Sequence, residues 1–298
     1  MLRFLRLDNH SKTNPYLMKT ILVPYDFSEQ AKNAFEFAKG LAKKNNAHLK
    51  LLHVLETPTM TSLGTMGTVE SGHEIDQIYV IELVEKRKQQ LADLEAQHTD
   101  PDYKFSTKLI FGNPYAGITK EVTDFDAQLI VMGSKGSSGL EELLIGSNTE
   151  KVVRNAKCPV ITIKDQRDIK NIKKIVFASD FAGDSLKVVN KLKKLQNTLG
   201  AELFLVKINT PSMFENSRSA IKSMQNFIKD HQLENAYFEV YNSSSEEEGI
   251  IEYAEDINAD MIAMSTHGRT GFLHLLSGSI AEDVVNHAKR PVWTMKVK

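Results

Sequence analysis

Short apolar runs alternate with longer stretches of helical period along the chain. Residues 19–24 (KTILVP) form the first apolar run, and Ser28 is placed to cap the helix that the next residues predict. Further strands are predicted at residues 48–55, 103–111, 128–132 and 159–164, and further helices at about 74–98, from Pro114 onwards and at 148–156. This alternation predicts right-handed βαβ units around a parallel sheet with helices on both faces.

The second half of the chain repeats the first. Residues 175–181 (IVFASDF) copy residues 21–27 (ILVPYDF), at an offset of 154 positions that continues through the second strand. From the glycine-rich motif onwards the offset is 132, so the second half is shorter by 22 residues in its middle. The repeat predicts two tandem domains of the same fold.

The predicted domains are residues 18–165 and 172–298, separated by a polar linker at 165–171. We expect residues 1–17 to be a disordered extension, because their apolar pieces are broken and no strand pattern begins before Met18. Residues 56–73 are rich in Thr, Gly, Ser and Met without a period, which predicts a mobile loop.

Composition narrows the classes of function. The net charge of −1 offers no basic excess for nucleic acid, and no apolar run approaches the length of a membrane span. The one cysteine, Cys158, excludes an intrachain disulfide, and its place before Pro159 predicts a buried, inert thiol. We therefore expect a cytoplasmic protein without a membrane or nucleic-acid partner.

A glycine-rich motif, GSKGSSGLEELLIGS, occupies residues 133–147 directly after the fourth predicted strand. Glycines let backbone N–H groups approach an anion, and the start of the helix at 148–156 leaves N–H groups without partners, so the motif is suited to phosphate. The alternative is a loop that is rich in glycine only because it turns sharply. The second half retains Gly268, Gly271, Gly278 and Ser279, which favours the phosphate interpretation.

These residues resemble the universal stress protein family in its tandem form. The resemblance covers residues 18–298 and rests on ILVPYDFS at 21–28, LLHV at 51–54, IVMGSKG at 130–136, IGS at 145–147 and the closing CPV and RPV segments. It implies two open five-stranded parallel sheets with helices on both faces, a Rossmann-like fold of the adenine-nucleotide α-hydrolase type. One branch of the family binds ATP, and another lacks the glycine motif and does not.

The resemblance implies which residues of the first half bind the nucleotide. Asp26 and the Val54 backbone would contact the adenosine part, and Pro24 and Met132 would line its pocket. Gly133 and Gly136 would let the backbone approach ribose and phosphates. The full set is Pro24, Asp26, Val54, Met132, Gly133, Gly136, Gly146, Ser147 and Asn148. For Asp26, the alternative is a turn or cap aspartate that binds no ligand.

The second half departs from the pattern at one position. Ser265 stands where the first half has Gly133, so a side chain lies where the family has a bare backbone. We expect weaker or different binding there. The residues concerned are Asp180, Ile208, Met264, Gly268, Gly278 and Ser279.

The leading interpretation is a stress-response sensor or regulator that binds ATP or another adenine nucleotide, with or without Mg²⁺. No catalytic or metal-ligating set emerges from the sequence, because the motif is not a P-loop and the histidines lack partners at metal-ligand spacing. Two rival hypotheses stay open: a slow ATP-hydrolysing enzyme of this fold, and a nucleotide-free interaction module.

The family resemblance also implies how the halves associate. Pairing of the last strands, residues 159–164 with 291–296, would form an intramolecular pseudo-twofold dimer and cover two sheet edges. Two chains could associate further as a homodimer. The sequence identifies no protein partner.

Overall fold

The computed structural model of the protein describes residues 3–5, 18–56, 72–100, 102–136, 145–181, 186–265 and 279–296. The strands are β1 (Arg3–Leu5), β2 (Thr20–Pro24), β3 (His48–Leu55), β4 (Lys104–Phe111), β5 (Leu129–Gly133), β6 (Val160–Ile163), β7 (Lys174–Ala178), β8 (Glu202–Asn209), β9 (Ala236–Asn242), β10 (Met261–Ser265) and β11 (Val292–Met295). The helices are α1 (Glu29–Asn45), α2 (Gly72–Gln97), α3 (Pro114–Asp124), α4 (Ser147–Asn155), α5 (Leu186–Leu199), α6 (Ser217–Asp230), α7 (Glu246–Asp256) and α8 (Ser279–His287).

The two halves share one sheet. Among the described residues the order is β1-β9-β8-β7-β10-β11-β6-β5-β2-β3-β4, so each half repeats the same arrangement of five parallel strands. This confirms the predicted α/β fold with tandem sheets. The two sheets are continuous through the pairing of β6 with β11.

The junction between the halves is the predicted pairing of the last strands. β6 and β11 run antiparallel, with Ile161 opposite Trp293 and Thr162 opposite Val292. Trp293 is 1% exposed and belongs to a core cluster that includes residues of both halves. The tandem arrangement therefore fits an intramolecular pseudo-dimer, and each half covers an edge strand of the other.

Local sequence signals account for the first helix. The Ser28 side chain accepts a hydrogen bond of 3.2 Å from the Ala31 N–H, as an N-cap does, and Asn46 ends the helix with a left-handed backbone at φ 47°. The apolar face of α1 is buried against β5 and its neighbours, because alanine and phenylalanine recur at helical spacing. α1 and α4 belong to different core clusters, on opposite faces of the sheet.

The linker between the halves is anchored, although its composition is polar. Residues 169–171 form a 3₁₀ turn in which Ile169 is 5% exposed. An added Cβ on Gly40 of α1 would lie 2.9 Å from Cγ1 of Ile169, so the linker packs directly on α1. This contact ties the start of the second half to the core of the first.

Two expectations differ from the structure. Within the extension expected to be disordered, Arg3–Leu5 forms β1, which pairs antiparallel with residues 236–238 because β9 is otherwise an edge strand with unpaired peptide groups. Within the predicted loop 56–73, Gly72 and His73 already belong to α2, and residues 57–71 lie outside the described residues. No helix in the described ranges is both long and apolar enough to span a membrane.

Candidate functional site

The candidate site lies at the carboxyl ends of β2 and β5, which are neighbours in the sheet. From β2 the chain passes through α1 to β3 on one side, and from β5 it passes through α4 to β6 on the other. The two connections leave in opposite directions, which opens a crevice between the strand ends. Ligands of open α/β sheets bind at such a switch point.

Three of the predicted residues come together in this crevice. Oδ1 of Asp26 accepts a hydrogen bond of 3.0 Å from the Ser28 N–H, and Oδ2 lies 2.9 Å from where a Cβ on Gly136 would stand. A Cβ on Gly146 would lie 3.5 Å from the Gly136 nitrogen. Asp26, Gly136 and Gly146 therefore line one side of the crevice with backbone and a carboxylate. Larger residues at the two glycines would fill the space between them.

Gly133 has a packing role that the sequence did not indicate. A Cβ at this position would lie 2.9 Å from Cβ of Gln30 and 3.1 Å from the Gln30 carbonyl carbon, so glycine lets α1 approach the end of β5. The Gln30 side chain then holds the motif: its Oε1 accepts hydrogen bonds from Oγ of Ser134 at 2.9 Å and from the Lys135 N–H at 2.6 Å.

Gln30 was not among the site residues predicted from the sequence. A signal for its role was present in the repeat. At the offset of 154, Gln30 corresponds to Asp184, and the second half also has Ser265 in place of Gly133. The contacting pair therefore changes together between the halves.

The start of α4 faces the same crevice. Gly146 is its N-cap residue and supplies no side-chain hydrogen bond to the first turn, while the Gly146 N–H donates to the Ser134 carbonyl at 2.8 Å. Oγ of Thr149 donates to the Gly133 carbonyl at 3.0 Å and fixes the helix to β5. The exposed Ser147 and the partly buried Asn148 occupy the first turn, where N–H groups lack intrahelical partners.

The expected adenosine-side residues lie on the neighbouring strands. The Leu52 carbonyl accepts from the Tyr25 N–H, and the Leu55 carbonyl accepts from the Gly112 N–H. Because peptide groups alternate along a strand, the N–H and C=O of Val54 point to the β2 side, beyond Pro24 at the end of that strand. Met132 is 4% exposed and packs in the cluster beneath α3 and α4, so it forms the floor and not the open edge.

A buried histidine supports the turn that carries Asp26. The Nδ1 of His53 lies 2.7 Å from the Tyr25 carbonyl, and the His53 ring meets the Phe27 ring edge-on at 5.0 Å. Burial lowers the pKa of His53, and the charge of Arg87 lowers it further. The hydrogen bond to the Tyr25 carbonyl acts in the opposite direction but is a smaller effect than burial. Phe27, whose ring His53 contacts, has a left-handed backbone conformation at φ 66°.

The second half reproduces much of this geometry. Phe181, after Asp180, has φ 54°, and the Ser179 N–H donates to the Val206 carbonyl as Tyr25 does to Leu52. In the second half the Ile208 peptide groups therefore take the place that those of Val54 take in the first, and the buried Met264 corresponds to Met132. Gly268 and Gly278 lie outside the described residues, and Ser279 begins α8.

Two other expectations concern chemistry away from the crevice. Cys158 is buried, and burial raises the pKa of its thiol to about 12, which agrees with an inert residue. Within the described ranges, no three His, Cys, Asp or Glu side chains converge as ligands for a metal ion.

Comparison with known proteins identifies the class. The model of the universal stress protein family matches residues 18–164 and again residues 171–296. The chain therefore belongs to the universal stress protein family, with two copies of the family domain in tandem.

Individual relatives agree with this assignment. A universal stress protein of Methanocaldococcus jannaschii is 30% identical over 155 residues, which is 50% of this chain and 96% of that protein. A second protein of that organism is 29% identical over 163 residues, 55% of this chain and 92% of the relative. The crystal structure of a universal stress protein from Archaeoglobus fulgidus matches 93% of this chain and 98% of its own, at a TM-score of 0.71 and 21% identity, and thus shares the tandem fold.

Proposed function

We propose that the first half binds an adenine nucleotide, ATP or a close relative, and that the protein acts as a sensor or regulator in the stress response. The observation that carries this proposal is the meeting of Asp26, Gly136 and Gly146 at the switch point between β2 and β5. The crevice thus combines a carboxylate, which can bind ribose or adenine, with exposed backbone and a helix start, which can bind phosphate.

Each part of the crevice suits a different part of the ligand. The first-turn N–H groups of α4 and the backbone at Gly136 would hold the phosphates, with the positive end of the helix dipole favouring their charge. The Asp26 carboxylate would accept hydrogen bonds from the ribose hydroxyls or the adenine amino group. The Val54 N–H and C=O would pair with the edge of the base. Mg²⁺, where present, would be held chiefly by the phosphates.

We propose weaker binding in the second half. Ser265 adds a Cβ at the position where a Cβ on Gly133 would lie 2.9 Å from Cβ of Gln30, so a following helix cannot approach this strand end as closely as α1 approaches Gly133. Ala182 also stands in place of Ser28 and cannot cap that helix through its side chain. Both changes loosen the side of the crevice that Asp180 would line with the glycines.

Slow or absent hydrolysis is part of this proposal. Rapid turnover needs a general base or a metal-binding carboxylate near the terminal phosphate. Glu150 of α4 is near in sequence, but its carboxylate accepts a hydrogen bond of 3.3 Å from Arg154, on the side of α4 that meets α8. A sensor needs only to bind and release the nucleotide and does not require hydrolysis.

The matched aspartates give the sharpest test. Isothermal titration with ATP, AMP and cyclic AMP compares the wild type with Asp26→Asn and Asp180→Asn. Loss of a charged acceptor at the occupied site should weaken binding by about tenfold or more, whereas Asp180→Asn should stay within about twofold of the wild type. Equal affinity in all three proteins would contradict the assigned site.

Mass spectrometry of nucleotide that co-purifies supports the titration. We expect Gly133→Val to lose it and Gly268→Val to retain it, with thermal unfolding recorded because the side chain introduced by Gly133→Val would also press on Gln30. No heat and no bound nucleotide in the wild type would favour the interaction module. Several turnovers per minute with Mg²⁺, abolished by Gly136→Val, would favour the enzyme.

A further inference from the structure

A residue of the second half holds the end of the glycine motif of the first. The Ile145 N–H donates a hydrogen bond of 2.5 Å to Oδ1 of Asn286, in the last turn of α8. Ile145 directly precedes Gly146, the N-cap of α4. The peptide that leads into the proposed phosphate-binding helix start is therefore fixed from outside its own domain.

The side chain of Ile145 gives a second, independent contact with the second half. It packs against a core cluster whose buried members all belong to that half, among them Val284 and Val285 of α8. The main chain of Asn286 adds a third contact, because its carbonyl accepts a hydrogen bond from Nζ of Lys164, which follows β6. Asn286 thus bridges two segments of the first half.

Two consecutive N–H groups at the end of the motif donate hydrogen bonds. Ile145 is held by Asn286, and the Gly146 N–H is held by the Ser134 carbonyl at 2.8 Å. These bonds fix the direction in which the chain enters α4, and with it the direction of the first-turn N–H groups. A loop that is ordered before binding loses less entropy when the ligand arrives.

The second half supplies a hydrogen-bond acceptor to the glycine motif of the first half, and the corresponding position of the first half cannot return it. At the offset of 132, Arg154 of α4 corresponds to Asn286 of α8. A guanidinium has donors but no acceptor, so Arg154 cannot hold a peptide N–H as the Asn286 amide oxygen does. Its described partners are the carboxylates of Glu282 and Glu150. The position that supplies an acceptor to the intact glycine motif of the first half is therefore occupied, in the first half itself, by a residue that can only donate.

We infer that Asn286 is a positioning residue for the nucleotide site of the first half, so that the second half completes the support of that site. This inference rests on the proposed function. It gives the second half, with its altered motif, a role that does not depend on its own binding. The nucleotide affinity of the first half then depends on the hydrogen bond from the Ile145 N–H to Asn286 of α8.

The first test needs no nucleotide. Amide hydrogen exchange at Ile145–Ser147 is compared among the full-length wild type, Asn286→Ala, Asn286→Asp and Glu282→Ala. Loss of the acceptor should speed exchange at Ile145 by about tenfold. Asn286→Asp keeps a side-chain acceptor and should restore protection. Glu282 lies on α8, as Asn286 does. Glu282→Ala breaks the ion pair with Arg154 of α4 but leaves the Ile145 bond, so its exchange should match the wild type.

The second test links the contact to binding. Calorimetric titration with ATP should show Asn286→Ala weaker than the wild type by about fivefold, the equivalent of one neutral hydrogen bond, with Glu282→Ala within about twofold. Unchanged exchange at Ile145 in Asn286→Ala overturns the inference whether or not ATP binds. Faster exchange with unchanged affinity overturns the link to the site. A wild type that binds no ATP contradicts the proposed function, while the exchange result still decides the role of Asn286.

Discussion

The ammonium group of Lys50 donates a hydrogen bond of 2.9 Å to Oε1 of Glu121, whose side chain is 2% exposed. Lys108 donates to the other carboxylate oxygen, and the Lys50 ammonium also lies 4.0 Å from the centre of the Phe125 ring. Burial alone would raise the pKa of Glu121, but the bonds from Lys108 and Lys50 and their charges hold that pKa below its ordinary value. A buried ion cluster thus joins β3, β4 and α3.

The second half replaces this cluster with aromatic packing. Sheet register and helix alignment place Phe204 at the position of Lys50 and Tyr253 at that of Glu121. Phe204 stacks on Tyr237 at 4.7 Å, and Tyr253 is 1% exposed. The same fold therefore accommodates either solution between its sheet and the helix that follows the third strand.

We predict that Glu121→Gln lowers the free energy of unfolding by about 2–3 kcal/mol, below the usual range for broken buried pairs because Lys108 is 40% exposed and can reach water. The double change Lys50→Phe with Glu121→Tyr, which copies the second half at these two positions, should cost under about 1 kcal/mol, since the one charge that remains, on Lys108, is 40% exposed and can reach water.

Urea unfolding measures these differences. Glu85→Gln is the control, because the Glu85–Lys88 pair is exposed and should contribute less than about 0.5 kcal/mol. A double variant as unstable as Glu121→Gln would show that the cluster stabilises the fold by more than the avoidance of an unpaired charge.

A pH dependence follows from His48, which begins β3. Burial, with the charges of Lys104 and Lys50, lowers the pKa of His48 from 6.5 to about 4. The unfolded chain therefore binds the proton more readily, and stability due to neutral His48 is lost as the pH falls from 6.5 towards 4. We expect His48→Gln to remove about 1–2 kcal/mol of the destabilisation seen between about pH 7 and pH 5.

The measurement is chemical unfolding of the wild type and His48→Gln at both pH values, since other histidines contribute equally to each protein and cancel in the difference. Gln can keep a polar contact with Oγ of Ser106, which lies 2.7 Å from Nε2 of His48. Parallel pH dependences for the two proteins would mean that His48 titrates normally in the folded state.

The sequence predicted most of the fold because the relevant signals are local. The period of apolar residues, Ser28, Asn46 and Pro114 gave elements whose ends agree with the structure to within a few residues. The repeat predicted the symmetry of the halves. The place of β1 was missed, since a three-residue strand without a pattern is defined only by the edge of β9 that it meets.

The site was predicted less completely, because its contacts join distant parts of the chain. Asp26, Gly136 and Gly146 follow strands that end at one edge, so their meeting could be predicted. The bond from Ser134 to Gln30 joins residues 104 positions apart, and the bond from Ile145 to Asn286 joins residues 141 apart. Helix propensity is silent about such contacts, and only the paired changes in the repeat pointed to Gln30.

The glycines of α3 and α7 give a matched pair of predictions. A Cβ on Gly117 would lie 2.7 Å from Cδ1 of Ile110, the far end of a flexible side chain, and 3.1 Å from Cγ2 of Val54, which needs to give by only a few tenths of an ångström. A Cβ on Gly249 would lie 2.6 Å from Cγ2 of Ile208 and 2.8 Å from Cβ of Ser243, neither of which can swing away. Alanine gains about 0.5–1 kcal/mol over glycine in a helix, so Gly117→Ala should be close to neutral.

Gly249→Ala should instead destabilise by about 1–2 kcal/mol, because overpacking exceeds the gain in helix propensity. Thermal and urea unfolding of the two variants provide the comparison, and each serves as the control for the other. Equal stabilities would mean that β8 shifts to make room, which would also move Ile208 in the second crevice and should alter any binding there.

Variants of Gln30 can distinguish residues that order the glycine motif from residues that contact the nucleotide. Gln30→Ala removes the acceptor of the Ser134 hydroxyl and the Lys135 N–H, and we expect ATP affinity to fall by about fivefold to tenfold. Gln30→Glu keeps an acceptor for both donors and should retain the protection of the Lys135 N–H, whereas its added negative charge should weaken the binding of anionic ATP. The neighbouring exposed Glu29→Gln serves as the control in the same helix turn.

These affinities are measured by titration calorimetry, with amide exchange at Lys135 as the accompanying structural readout. Faster exchange at Lys135 together with weaker binding is the expected joint result for Gln30→Ala. If affinity falls while Lys135 stays protected, Gln30 would itself contact the nucleotide, since its side chain lies beside the backbone of Gly133 and within the crevice. That outcome would move Gln30 from the support of the glycine motif to the binding surface.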